Sequence, residues 1–218
     1  MSWLGGFFSK DKKGDSEPVR SSLGHPSQLD KGDIIKLSFL NQQELSGQRL
    51  EVTDVNTYDF ENRAKPSFTL KNDAGDAFSL SVCEDNGEQK LSFSRLLKRK
   101  KVLALFDEAA FAGVFAAGAG ITLNRNAESD IPQSLLEWTA PQYVEEVDCS
   151  SGYYHEGDYR NKPLPEYEKD ASGLEYYLLE DPDGEFAIEI EVYADGETEV
   201  SATVYLPMTT IEEMWPGK

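Results

Sequence analysis

The sequence predicts a mainly β fold with minor α structure, built as two small antiparallel β-barrel or curved-sheet units joined by a short helical segment. Apolar and polar residues alternate over several short segments, as in half-buried strands. Two pairs of these segments flank Asn86-Gly87 and Asp195-Gly196, which are typical hairpin turns. The charge also changes steeply between residues 134 and 135, which indicates two units with different surfaces.

The first β-rich unit is predicted over residues 32–101. Alternation runs through Leu50–Val55 and again through Phe78–Val82, and Leu91–Phe93 follows the Asn-Gly turn. Five short strands in about 65 residues favour a small closed or strongly curved sheet.

Residues 102–134 are predicted to form a helical connector. Asp107 can cap a helix on which Phe111, Val114 and Phe115 share one side. A basic cluster at residues 95–101 precedes this segment, and we interpret it as a solvated surface or as a partner of the acidic unit.

The second β-rich unit is predicted over residues 135–218, after a chain segment of nearly balanced charge. In the strand pattern Phe186–Val192, Ile188 and Ile190 alternate with Glu189 and Glu191. We therefore expect one buried face and one acidic, solvated face.

The two units are similar in their spacing, which suggests an internal repeat. Leu70 and Gly75 match Leu179 and Gly184 at a constant offset of 109 residues. The alternation slips, however, because the apolar residues of 78–82 then align with Ala187, Glu189 and Glu191. The match is either a duplication with a local irregularity, such as a β-bulge, or two generic three-strand meanders.

The chain has 218 residues and a formal net charge of −19, which argues against nucleic-acid binding because phosphates would be repelled. Residues 135–218 hold 21 acidic and 4 basic residues. This acidity is explained by solubility alone or by a docking face for a basic protein or a polyamine. The candidate partner-binding residues are Glu189, Glu191, Glu197 and Glu199, with Tyr153, Tyr154 and Tyr159 as a possible groove.

Residues 1–31 are predicted to be a flexible N-terminal segment with an apolar patch. Trp3, Leu4, Phe7 and Phe8 share a face at helical spacing, and a linker-like stretch follows. The patch suggests a weak membrane-surface or partner contact, or a segment that packs on its own domain. Neither a signal peptide nor a long uncharged apolar stretch is evident, so we expect a cytoplasmic protein, with peripheral contact to an inner membrane as an option.

Catalytic motifs are weak, so the sequence favours a non-catalytic adaptor or regulatory protein without catalytic, cofactor or metal residues. One alternative is a metal-dependent hydrolase, in which Cys149, His155 and Asp158 would supply ligands. Another is a peripheral membrane-associated stress factor that uses the N-terminal aromatic patch.

The chain also resembles the YjfK-like group of small bacterial proteins. The similarity lies in Met1–Phe8, in Gly32-Asp33, in Gly47 before Leu50–Val52, and in the strand–turn–strand pattern of Leu70–Phe93. Genes of this group tend to lie beside phage-shock-protein-A-like genes. The resemblance implies a bacterial cytoplasmic protein that acts near the inner membrane or an envelope-stress system, and it supplies no catalytic residues.

Overall fold

The computed structural model describes residues 22–60, 63–85, 87–116, 118, 120–165 and 172–217. In these ranges the fold is mainly β, as predicted, with three short α-helices: α1 (Arg99–Leu105), α2 (Glu108–Ala112) and α3 (Gln133–Leu136). The strands are β1 (Ile34–Leu37), β2 (Arg49–Phe60), β3 (Arg63–Lys71), β4 (Ala77–Asp85), β5 (Glu88–Leu96), β6 (Thr122–Asn124), β7 (Gln142–His155), β8 (Ser172–Glu180), β9 (Phe186–Tyr193), β10 (Thr198–Pro207) and β11 (Ile211–Trp215).

The eleven strands of the described residues form one antiparallel sheet, in the order β11-β1-β2-β3-β4-β5-β10-β9-β8-β7-β6. An additional pairing between β2 and β7 closes eight of these strands into a ring, while β1, β11 and β6 extend the sheet beyond it. The prediction of two separate barrel-like units is not confirmed, because strands from both stretches share this one sheet.

Two long-range strand pairs hold the ring together. β5 pairs with β10, and β2 pairs with β7 over the four residue pairs from Thr57–His155 to Phe60–Gly152. Gly152 makes room for this closure, because a Cβ atom there would lie 2.3 Å from the Phe60 ring. A larger residue would have to displace that ring, so the close approach favours glycine.

The halves β2–β5 and β7–β10 have the same antiparallel strand order, as the sequence spacing suggested. The phase slip between them arises in a turn. Lys71 pairs with Ala77 across five residues, whereas Glu180 pairs with Ala187 across six. The extra residue brings Ile190, rather than Glu189, into the position that corresponds to Leu80.

The apolar core lies on the outer face of the ring. Phe68, Leu80 and Phe93 are fully buried there. The covering layer comes from outside the ring strands and includes Leu29, Val102, Leu105, Phe106, Leu135 and Trp138. The short helices and connecting segments therefore shield one face of the sheet from water, which supplies most of the hydrophobic stabilisation.

The predicted connector contains α1, α2 and β6. Asp107 caps α2 as expected, since its Oδ1 accepts hydrogen bonds from the backbone N–H groups of Ala109 and Ala110 at 3.1 and 3.0 Å. Val114 is buried, and the Phe115 ring makes an edge contact with Tyr177 at 5.4 Å between centroids. This segment thus belongs to the covering layer.

The described part of the N-terminal segment, residues 22–31, is packed, contrary to the prediction of flexibility. Pro26 and Leu29 are buried, and the Arg160 guanidinium donates to the Ser27 carbonyl at 2.6 Å. The predicted contact residues Trp3, Leu4, Phe7 and Phe8 lie outside the described residues. Every helix within the described ranges is too short or too polar to cross a membrane.

Candidate ligand-binding cavity

The ring encloses a cavity of about 820 Å³, lined by residues from all eight of its strands. Ser92 and Ser94 line the cavity, whereas Phe93 between them lies in the outer core. The alternation of side chains therefore places a polar face inside and an apolar face outside. Ligand pockets in proteins have volumes of about 300–1,000 Å³, so this space can hold a small molecule.

The two halves of the ring contribute different chemistry to the cavity. The β3–β5 wall is rich in small hydroxyl side chains: Ser67, Thr69, Ser79, Ser81, Ser92 and Ser94. The β8–β10 wall carries carboxylates and phenols: Tyr176, Glu180, Glu189, Glu191, Glu199 and Tyr205. The cavity thus has a hydroxyl-rich side, which also carries Lys65, Lys90, Glu84 and Asp85, and an acidic, aromatic side.

Glu189 on β9 is held by hydroxyl donors. Its Oε1 accepts a hydrogen bond from the Thr203 hydroxyl and lies 3.0 Å from Ser94 Oγ, which also donates to it. Its Oε2 accepts from the Tyr176 hydroxyl at 2.9 Å. Both carboxylate oxygens are therefore satisfied by neutral donors, which orient the group without cancelling its charge.

Glu191, two residues further along β9, is bonded across the cavity. The Tyr58 hydroxyl on β2 donates to this carboxylate, with distances of 3.0 and 3.1 Å to its two oxygens, and the Tyr193 hydroxyl donates at 2.6 Å. β2 and β9 are not neighbours in the ring, so the Tyr58 bond spans its interior.

Burial raises the pKa of Glu191 to about 7, in spite of the hydroxyl donors that lower it, and the charges of Glu189 and Glu199 add to the rise. Glu199 lies directly opposite Glu191 on β10. Burial raises the pKa of Glu199 as well, and the charge of Glu197 contributes. Like charges at directly opposed positions repel, so this end of the acidic wall favours a cation.

These positions correct the predicted outward acidic face. Ile188 and Ile190 are buried opposite Glu189 and Glu191, as the alternation predicted, but the carboxylates point into the ring rather than to the outer surface. Glu197 is exposed in the β9–β10 turn. The four glutamates therefore do not form one flat docking face, because Glu189, Glu191 and Glu199 line the cavity inside the ring and Glu197 does not.

The tyrosine group is divided by the structure. Tyr154 packs against Tyr58 with ring centroids 5.2 Å apart, and burial together with Glu156, Glu191 and Glu199 raises its pKa to about 12. Tyr153 is more exposed, and Tyr159 contacts the His155 ring. Tyr154 alone of the three is brought close to the predicted glutamates.

Lysines of the cavity lining are Lys65 and Lys90. Lys90 Nζ lies 2.8 Å from Asp85 Oδ2, near the β4–β5 turn. Within the described ranges, none of the ion pairs includes Glu189, Glu191 or Glu199. For Glu189 and Glu191, the described residues thus supply hydroxyl groups instead of a cation.

The hypothetical metal ligands do not assemble into a site. Cys149 is exposed, His155 is buried, and the Asp158 carboxylate binds the Arg160 guanidinium at 2.9 and 2.8 Å. Across the described part of the chain, no group of three or more His, Cys, Asp or Glu side chains is placed to hold a metal ion. The residues therefore do not fit the metal site of the hydrolase alternative.

Several cavity residues were not predicted as functional. Tyr58, Tyr176, Tyr205 and Thr203 donate to carboxylates inside the ring. Their signal in the sequence is a hydroxyl or phenol on the polar side of an alternating strand. That signal is equally typical of a solvated surface, so only ring closure distinguishes the two.

Comparisons with known proteins give no assignment. No family model, curated protein or solved structure matches the chain. The YjfK-like resemblance therefore stays a prediction, and function is inferred from the cavity itself.

Proposed function

We propose that the protein is a non-catalytic binding protein that takes a small organic cation into the cavity of its closed sheet. A closed sheet of eight strands is wide enough to hold one small ligand. The observation that carries the proposal is the half-buried pair Glu189 and Glu191, whose side-chain hydrogen-bond partners among the described residues are all hydroxyl groups.

A cation is favoured by electrostatics. An ionised carboxylate removed from water is costly unless a positive charge accompanies it. Six carboxylates and two lysines line the cavity, and one lysine is paired with Asp85. A bound ammonium group would compensate Glu189 and Glu191 in a medium of low dielectric constant, where attraction is stronger than in water.

The size of the cavity favours a small ligand over a basic protein. Glu189 and Glu191 are half-buried inside the ring, where a small molecule fits more readily than the surface of a folded partner. The polyamine option of the sequence analysis is therefore retained in place of a protein docked on these two residues. The covering layer and the ring would serve as a rigid support for the site.

Isothermal titration calorimetry on the full chain at pH 8 tests this function. The probes are butylamine and spermidine as cations, and butyrate as an anion of similar size. We expect the amines to bind and butyrate not to bind. Preferential binding of butyrate, or failure of both amines to bind, would refute the proposal.

Variants locate the site. Glu191→Gln keeps the side-chain shape and removes the charge, so we expect amine affinity to fall at least tenfold. Glu197→Gln, in the exposed β9–β10 turn, is the matched control and should bind like the wild type. Equal affinity of all three proteins would place the amine outside the cavity and contradict the proposal.

A further inference from the structure

We infer that the ligand is a linear polyamine whose ammonium groups are separated by about four methylene groups, bound along the strand direction of β9. This inference rests on the proposed cation-binding function and deepens it. It is carried by the spacing of the carboxylates on the acidic wall and by the aromatic side chains between them.

The carboxylates of the acidic wall lie at successive positions along the strand direction of β9. We call each position a level; it comprises residues that are paired across neighbouring strands. Glu191 and Glu199 share one level because they are directly paired. Glu189 is two residues away on the same strand, and Glu180 pairs with Ala187, two residues further still. Two residues of a strand advance about 6.7 Å, so the acidic wall has three levels at this interval.

Linear amines match this interval. An extended chain advances about 3.5 Å over three covalent bonds, so the five bonds between the nitrogens of 1,4-diaminobutane span about 6 Å. Each ammonium group has three N–H donors and can bond several carboxylate or hydroxyl oxygens. A compact cation with one charge would contact the carboxylates of only one level, and the negative charge at the other levels would stay uncompensated.

The remaining wall suits the methylene segments of such a chain. Tyr176 is paired with Glu191 and its hydroxyl donates to Glu189, so its ring borders the cavity between these two levels, and the Phe60 ring lies 5.2 Å from it between centroids. Tyr58 lies beside Glu191, where its ring face could also contact an ammonium group. Aromatic faces between charged levels favour a ligand that alternates apolar spacers with cations.

A lysine weakens ammonium binding at the Glu180 end of the acidic wall. The hydrogen bond to Asp85 raises the pKa of Lys90 on β5, and the negative charge of Glu180 contributes to the rise. The positive charge there competes with the ligand for the Glu180 level. We therefore assign the two strongest ammonium positions to Glu189 and to the Glu191–Glu199 level, with Glu180 as the third and weaker position.

Calorimetric titration of the full chain with diamines of two to eight methylene groups, at pH 8 and fixed ionic strength, tests the inference. Butylamine is the single-charge reference and spermidine the triamine. We expect the highest diamine affinity at four or five methylenes, at least tenfold above butylamine and above ethylenediamine. Spermidine should bind at least as tightly as the best diamine.

The outcomes separate the inference from the function on which it rests. If butylamine binds as tightly as every diamine, the cation site stands and the spacing inference is overturned. If no amine binds, both fail. If a diamine outside four or five methylenes is preferred, the assigned levels are wrong.

Variants give a second, independent readout. Glu191→Gln and Glu199→Gln should each reduce the preference for diamine over butylamine, because they weaken the second level. Glu197→Gln should leave the chain-length profile unchanged. An unaltered profile in both cavity variants would overturn the assignment of ammonium positions, whatever the absolute affinities.

Discussion

The outer and inner faces of the closed sheet are built from the same strands but differ in function: the outer face packs into the apolar core, and the inner face lines the cavity. On β5, Phe93 is fully buried in the outer core, while Ser92 and Ser94 on either side line the cavity. On β9, Ile188 and Ile190 alternate in the same way with Glu189 and Glu191. The outer face holds the fold together, and the inner face is free to carry charge that costs stability.

This division explains how the protein tolerates carboxylates inside its sheet. Trp138, Phe106 and Leu135 bury the outer face, and Phe78, which stacks on Trp138 with ring centroids 5.7 Å apart, borders both the core and the cavity. The outer face therefore supplies most of the stabilising apolar contacts, and the inner face provides the candidate binding site. Substitutions on the two faces should therefore change the free energy of unfolding by different amounts, and these changes should depend differently on pH.

The largest expected effect lies on the outer face. Phe93→Ala removes a fully buried ring from the core and should lower the free energy of unfolding by about 3–5 kcal/mol. Ser79→Ala, at an exposed position of the cavity wall on neighbouring β4, should change it by no more than about 0.5 kcal/mol. Urea denaturation of both variants checks this, and equal effects would show that the two faces are not energetically distinct.

The next effect concerns the charge of Glu191. Its pKa is raised from 4.5 to about 7 in the folded protein, so the native state binds the proton more tightly than the unfolded state. The stabilisation from this proton is present below about pH 4.5 and is lost as pH rises towards 7. The loss should be about 3 kcal/mol, by linkage between protonation and folding.

The contribution is isolated by comparing variants. The unfolding free energy of the wild type minus that of Glu191→Gln should fall between pH 4.5 and 7 and become flat above pH 8. Glu197→Gln should follow the wild type throughout. A difference that does not change with pH would mean that Glu191 titrates as an ordinary surface carboxylate.

The smallest expected effect sharpens the description of the cavity. Tyr58→Phe removes a hydroxyl that donates to the ionised Glu191 across the ring, and it should cost about 1.5–2 kcal/mol at pH 8. In the Glu191→Gln background the same change should cost less than about 1 kcal/mol, because the acceptor is no longer charged. A double-mutant cycle by chemical denaturation measures the difference. Additive costs would mean that the bond contributes nothing specific.

Much of the secondary structure could be predicted from residue patterns. The alternation at 78–82 and 186–192 and the turns at Gly87 and Gly196 correspond to β4, β9 and their hairpins. The candidate site was predicted only in part. Glu189, Glu191 and Glu199 line the cavity together with Tyr58, but this arrangement depends on residues far apart in the chain.

Local sequence patterns also could not predict that residues 22–31 are packed, or that the two corresponding turns differ by one residue. Leu29 is in a segment of polar composition, yet it is fully buried. Its burial depends on a cover that other segments supply. Sequence spacing indicated a repeat, whereas the correspondence of Leu80 with Ile190 becomes visible only from the strand register.

By itself, the sequence determined that each strand has an apolar and a polar face, and where the chain turns between strands. The tertiary structure alone decided which face is enclosed. A period of two is the same whether polar residues meet bulk water or the inside of a ring. Closure through β2–β7 and β5–β10 pairs residues about 100 positions apart, and it turns an apparent acidic surface into a cavity wall.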